Sequence, residues 1–238
     1  MTTSLARSHR TRTLSAREVA HNPYGPSTSA SQYDLHLMLL AEHRQRLKQV
    51  QSGEAKAALK RSLLPDYSAY LAGVIEADPG TQDEVLTTLM VWHMDAGEWE
   101  MALVLAGYVL RHHLPLPDRF ARTAGCLIAE EIAEAALHAL ASDADFPLPV
   151  LVRARDLTDP HDMPDEVRAK LYLATGRTLL RATEADAGNG PPDLRVLENS
   201  IAALKRAIAL HSACGGKKDL ERAQRLMKKH ATLTEGRT

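Results

Sequence analysis

Residues 81–114, TQDEVLTTLMVWHMDAGEWEMALVLAGYVLRHHL, decide the fold. Leu86, Leu89, Met90 and His93 recur at i, i+3, i+4 and i+7, the spacing of one helix face. Trp99, Leu103, Ala106 and Leu110 repeat that spacing in the second half. Asp95-Ala96-Gly97 between them is a stop, because glycine takes the left-handed conformation after a helix end without a Cβ penalty. Glu98 and Glu100 then open the next helix, where the dipole favours negative charge. Two antiparallel helices joined by a tight turn are expected. Gly97-x-Trp99-x-x-Ala102-Leu103 ahead of Pro115 is close to the tetratricopeptide helix-pair pattern. Such a pair is a packing unit, and by itself it specifies no chemistry.

The composition extends this reading to the whole chain. Hydrophobic residues make up 45% of the 238 residues but aromatics only 4%. An all-β fold would need more aromatic and β-branched side chains, so the expected class is all-α, built of helical hairpins with tetratricopeptide-like pairs. Cys126 and Cys214 lack metal-ligand spacing and lie in apolar contexts, as reduced, inert thiols do. No apolar run is long enough to span a membrane, and the N-terminus lacks the apolar stretch of a secretory signal.

Charge is distributed in blocks although the formal total is −1. Residues 1–61 hold ten Lys/Arg against four Asp/Glu, a net +6. Residues 62–166 hold five against nineteen, a net −14, and residues 167–238 fourteen against seven, a net +7. Such an order suits a chain whose ends meet a polyanion and whose middle does not. The alternative is that the acids are solvated helix faces.

Residues 1–30 place Arg7, Arg10, Arg12 and Arg17 among Ser and Thr, followed by a Pro/Gly/Ser spacer, and read as a disordered basic arm. Such arms contact phosphate without reading sequence, or serve only as solubilising tails. Residues 31–64 read as a basic helical hairpin broken at Gly53; between His43 and Arg61 it sets Arg44, Arg46, Lys48, Lys56, Lys60 and Arg61 against Glu54 alone. These six are the candidate DNA-binding residues. The hairpin resembles a helix-turn-helix, and equally an amphipathic pair used for oligomer packing.

Residues 65–231 are expected to form a tetratricopeptide-like core that also carries the oligomer or partner contacts. A helix from Asp66 to Asp78 ends at Pro79-Gly80; after the central pair, Pro115 and Pro117 precede a helix from about Thr123 to Ala141. On that helix Glu130, Glu134 and His138 stand at i, i+4 and i+8, a ligand-like face or simply the polar side opposite Leu127, Ile128 and Leu137. The acid- and proline-rich stretch 143–166 contributes Asp156, Asp159, Asp162, Asp165 and Glu166, some of them helix caps. No diagnostic metal spacing is present, so no metal ligand and no catalytic residue is assigned. Leu194 to His211 and a basic helix from Lys217 to Lys229 complete a second pair, with Leu220, Gln224 and Met227 inward; residues 232–238 are a short tail.

These residues carry a resemblance. Lys60-Arg61-x-Leu63-Leu64-Pro65, Gln82-Asp83 and Trp92-x-x-Asp95-x-Gly97 begin it. Ala102-Leu103-x-x-Ala106-x-Tyr108, Glu130-Glu131 and Met163-Pro164-Asp165-Glu166-Val167-Arg168-Ala169-Lys170-Leu171 continue it, and Gly216-Lys217-Lys218 and Glu221-Arg222 end it. Over roughly residues 31–230 the chain resembles the GpM-type small terminase subunits of peduovirus-like temperate phages. The resemblance implies binding of double-stranded DNA at the cohesive-end packaging site of a phage genome. It implies action with a large ATPase subunit at the portal of an empty prohead, an oligomeric ring, and the cytoplasm of a bacterial host.

The same family carries the label "terminase, endonuclease subunit", which implies a part in cutting. The residues themselves support binding better, since no Walker-type loop and no HNH-like or Cys/His motif is present. The leading expectation is a non-catalytic DNA-binding subunit without a cofactor. The alternatives are a Mg²⁺-dependent endonuclease using Glu130, Glu134 and His138 or the Asp156–Glu166 cluster, and a helical-repeat scaffold that binds only protein.

Overall fold

The structure is a computed structural model that describes residues 5–6, 9–14, 31–117, 122–186 and 193–235. Among them there are helices and no strand, so the all-α class holds. The chain forms two compact units, 1–124 and 125–238, where the sequence reading drew one core from 65 to 231. The expected hairpin at 31–64 is part of the first unit rather than an appendage, because Leu40, Leu47, Leu63 and Leu64 are buried in it.

In the first unit α1 (Gln32–Lys48) starts at Ser31, whose hydroxyl accepts from Asp34 N while the Asp34 carboxylate accepts from Ser31 N. It is followed by α2 (Gly53–Leu63), a 3-10 turn (Leu64–Tyr67), α3 (Ser68–Ala77), α4 (Glu84–Asp95) and α5 (Trp99–Arg111). The pair α4–α5 is the expected hairpin, and Gly97 in its turn has φ +74°. The one-face pattern, however, understates α4. All ten residues from Val85 to Met94 are buried, as in a helix enclosed on every side. α1, α2, the 3-10 turn and α5 all pack on it.

Asp83 fixes the start of α4: its Oδ1 accepts from Leu86 N at 2.8 Å and its Oδ2 accepts the Tyr70 hydroxyl at 2.6 Å. Around α4 two buried histidines join the core, His43 bonding the Tyr67 hydroxyl at 2.8 Å and His36 stacking on Tyr70. Within the expected disordered arm, residues 9–14 are helical, and Arg12 Nε donates to Glu76 Oε2 at 2.8 Å. Residues 5–6 are helical too, and the remainder of the arm, with Arg7 and Arg17, lies outside the described residues.

The second unit contains α6 (Ala124–Ala141), α7 (Leu148–Thr158), α8 (Asp165–Asp186), α9 (Leu194–Leu210) and α10 (Lys217–Glu235). α7 lies inside the stretch read as acid- and proline-rich connection. Pro149 occupies its first turn, where a missing N–H costs nothing, and Val150, Leu151 and Ala154 are buried. α10 continues through part of the expected tail, and residues 236–238 lie outside the described residues. α9 pairs with α10 as expected, yet its most extensive packing is against α8. There Ser200 Oγ donates to the Gly176 carbonyl at 2.8 Å, and Leu173, Leu180, Leu197, Leu204, Ala207 and Ala223 form the core.

Candidate nucleic-acid interface

The six cations named from the sequence separate into two groups. Arg44 is half-buried: its Nη1 donates to Glu84 Oε1 at 2.7 Å and its Nη2 to Thr88 Oγ1 at 2.8 Å. Lys60 pairs with Asp95, and Arg61 Nη2 donates to the Ala96 carbonyl. These three side chains tie α1 and α2 to the two ends of α4; Lys60 and Arg61 answer the negative end of its dipole. All three are engaged within the protein.

Arg46, Lys48 and Lys56 form the other group. Arg46 and Lys48 stand exposed in the last turn of α1, and Lys56, half-exposed, lies in the first turn of α2 across the four-residue link 49–52. Among the described residues none of the three enters an ion pair. Lys48 also borders a groove of about 450 Å³, lined by Arg44, Gln82, Glu84, Thr87 and the turn at Pro115 to Pro117. Three cations near one end of the α1–α2 hairpin are thus without an ion pair among the described residues.

The acidic middle is also changed by folding. The boundary between the units cuts it, leaving thirteen Lys/Arg against thirteen Asp/Glu in residues 1–124 and sixteen against seventeen in 125–238. In the second unit α8 supplies the counter-charges. Arg168 pairs with Asp159 at 2.9 Å, Lys170 with Glu134 at 2.7 Å and Glu130 at 3.2 Å, and Arg177 with Asp219 at 2.7 Å. Arg181 holds both Asp143, at 2.5 Å, and Asp145, at 2.7 Å, and its guanidinium keeps the Asp143 carboxyl below the usual range. Charges that stand in separate blocks along the sequence are thus partners in space.

The same pairing involves the metal candidates. Glu130 and Glu134 meet at the Lys170 ammonium, while His138 is exposed and takes no part in that cluster. Asp159 is held by Arg168, and Asp156 lies beside Arg155. Among the described residues no group of three or more His, Cys, Asp or Glu side chains converges as metal ligands would.

Residues 37–166 match the phage small terminase subunit family. The chain is also 37% identical over 226 residues to "Terminase, endonuclease subunit" of Escherichia phage P2, covering 95% of this chain and 86% of that protein. The chain belongs to the phage small terminase subunits. Its role is accordingly in phage DNA packaging, and such subunits act with a large terminase subunit and phage DNA. No solved structure matches it. Among the described residues no helix is long and apolar enough to cross a membrane.

Sequence reasoning on this small terminase subunit passed over the cations of α8, which organise the second unit. Their signal was weak: Arg168, Lys170, Arg177 and Arg181 alternate with apolar residues, and their partners lie 9 to 42 residues away. It also treated Arg44, Lys60 and Arg61 as equivalent to Arg46, Lys48 and Lys56. Nothing local distinguishes the two groups; only the position of α4 does.

Proposed function

We propose that this chain is the DNA-binding, non-catalytic subunit of a phage terminase, with Arg46, Lys48 and Lys56 as its phosphate contacts in the first unit. The carrying observation is that Arg46 and Lys48 are exposed and Lys56 half-exposed near one end of α1–α2, while Arg44, Lys60 and Arg61 are bonded to α4 and the turn that follows it. In this reading Arg44, Lys60 and Arg61 position the hairpin rather than touch DNA. The subunit recognises the cohesive-end packaging site, hands the genome to the large ATPase subunit, and acts as an oligomeric ring at the portal of a prohead in the host cytoplasm. The test is a salt titration of DNA binding. Changing Arg46, Lys48 and Lys56 together to Gln reduces the slope of log affinity against log salt by about 2 to 3, since each phosphate contact contributes about 0.9. An unchanged slope removes this site.

A second reading has one observation in its favour, the printed name of the phage P2 relative, which calls it an endonuclease subunit. Cutting by this chain would need carboxylates gathered around Mg²⁺. The best candidates, Glu130 and Glu134, bind Lys170 instead. The adaptor reading accounts for that geometry without breaking the Lys170 ion pairs.

A further inference from the structure

An exposed cation is not by itself a site, and both units carry several. Lys48 differs in standing at the rim of a groove of about 450 Å³ built from three elements: the last turns of α1, the entrance to α4 and the turn after α5. Two of its walls are held firmly. On one side Gly80, at φ +66°, lies so close to the His112 ring that no Cβ would fit, and its N–H donates to the Tyr108 hydroxyl at 3.0 Å. Asp83, three residues on, caps α4 and accepts the Tyr70 hydroxyl. Gln82 is thus fixed from both sides. It is exposed, and among the described residues its side-chain amide makes no hydrogen bond. On the other side Leu114 N donates to the Val109 carbonyl at 3.0 Å, and the rings of Pro115 and Pro117 restrict the backbone that follows. That wall is aliphatic, with Leu116 and Pro117 half-buried.

The lining sets two cations, Arg44 and Lys48, against one acid, Glu84, and Glu84 is already bonded to Arg44. The remaining charge is that of Lys48, so a polyanion held by Lys48 lies at the mouth of the groove. The space is far too small for a duplex, whose major groove alone is about 12 Å wide, but it admits a single sugar-phosphate ridge. Among the described residues no aromatic ring lines it, so it offers no platform for an unstacked base. Proline rings and a leucine suit the apolar side of a deoxyribose instead. A neutral side-chain amide, as on Gln82, is one of the donors that DNA-binding proteins direct at phosphate oxygens.

We propose that this groove receives one sugar-phosphate strand of the DNA duplex, with the Gln82 amide donating to a phosphate oxygen and Leu116 and Pro117 packing on the adjoining deoxyribose. It rests on the reading that the chain binds DNA through Arg46, Lys48 and Lys56, and it adds an uncharged contact from a different element. Contact is to the backbone, so it fixes the register of the subunit on the duplex and adds no base preference.

The experiment uses the full chain and measures affinity for the phage end fragment and for a scrambled duplex of equal length, between about 50 and 200 mM salt. Gln82→Ala, Gln82→Lys and Lys48→Gln are compared with wild type; both positions are exposed, and thermal melts followed by circular dichroism check that each variant folds. Gln82→Ala is expected to weaken binding about threefold to tenfold on both duplexes at an unchanged salt slope, because a neutral donor displaces no counterion. Lys48→Gln is expected to lower the slope by about 0.9, and Gln82→Lys to raise it by about as much. If Gln82→Ala binds both duplexes as wild type does while Lys48→Gln loses slope, the inference is wrong and the first site stands. If Gln82→Ala keeps its DNA affinity but no longer binds the large subunit, the groove docks protein and the inference is likewise wrong. If the wild-type chain binds neither duplex, the DNA-binding reading itself fails, and this inference with it.

Discussion

Arg44 Nη1 donates to Glu84 Oε1 at 2.7 Å, fastening α1 to the first turn of α4 across forty residues of sequence. The pair stands for the way this protein uses charge. A cation from a basic block and an acid from an acidic block meet in space, and the blocks disappear as independent features. What remains for a ligand is the smaller set of cations without such a partner.

Arg44→Met therefore acts on stability more than on binding. It removes one ion pair and the hydrogen bond to Thr88, at a cost of about 1 kcal/mol, and lowers the melting temperature by a few degrees. DNA affinity changes less than twofold. A loss of affinity as large as that of the Arg46, Lys48 and Lys56 variant, with an unchanged melting temperature, would place Arg44 among the phosphate contacts instead.

The packing of α8 on α9 gives a sharper prediction. A Cβ on Gly176 would stand 2.7 Å from Leu204 Cγ and 3.2 Å from the Leu204 backbone nitrogen, so the helices must separate to admit it. Gly176→Ala is expected to cost about 1–3 kcal/mol, read as a lower urea midpoint at unchanged m. A midpoint within error of wild type would mean that the two helices are not in this contact.

The legible part of this fold was the hairpin of residues 81–114, because its turn and both faces are encoded locally. The enclosure of α4 was not legible: when all ten residues from Val85 to Met94 are buried, an i, i+3, i+4 pattern is only a subset of what is covered. α7 was hidden because Pro147 and Pro149 read as breakers, whereas Pro149 begins the helix. The candidate site was half legible. Residue type identified six cations, but Lys60 and Arg61 are distinguished from Lys56 only by the C-terminus of α4, 35 residues away.

Stability should fall as pH drops below about 6.5. Burial pushes the His36, His43 and His93 imidazoles below their ordinary value, while in the unfolded chain they titrate normally. As pH falls through the unfolded value the unfolded state binds protons first, and the stability present above it is lost at up to about 1.4 kcal/mol per pH unit for each group. Asp83 works in the opposite sense, since burial raises its carboxyl and its neutral form is favoured at low pH. Urea midpoints between pH 8 and 5 for wild type and His43→Gln separate the two: the variant's curve should be flatter. Parallel curves would show that His43 is not buried as a neutral ring.

Lys170 tests the acidic side of the second unit. Glu130 is only 7% exposed, so Lys170→Met leaves it without its ammonium partner, at a cost of about 1–3 kcal/mol. Glu134→Ala should leave the protein's behaviour toward DNA in Mg²⁺ unchanged. Specific nicking by wild type that Glu134→Ala abolishes would make the Lys170 clamp a resting form of a catalytic site.

The most direct test of the account is a gel assay of the purified chain with the phage end fragment, in Mg²⁺ and in EDTA, at rising salt. The account predicts a shifted, intact band in both, weakening as salt rises and weakening sooner when Arg46, Lys48 and Lys56 are changed to Gln. Specific nicks that appear only with Mg²⁺, or a shift that salt and those substitutions leave untouched, would contradict it.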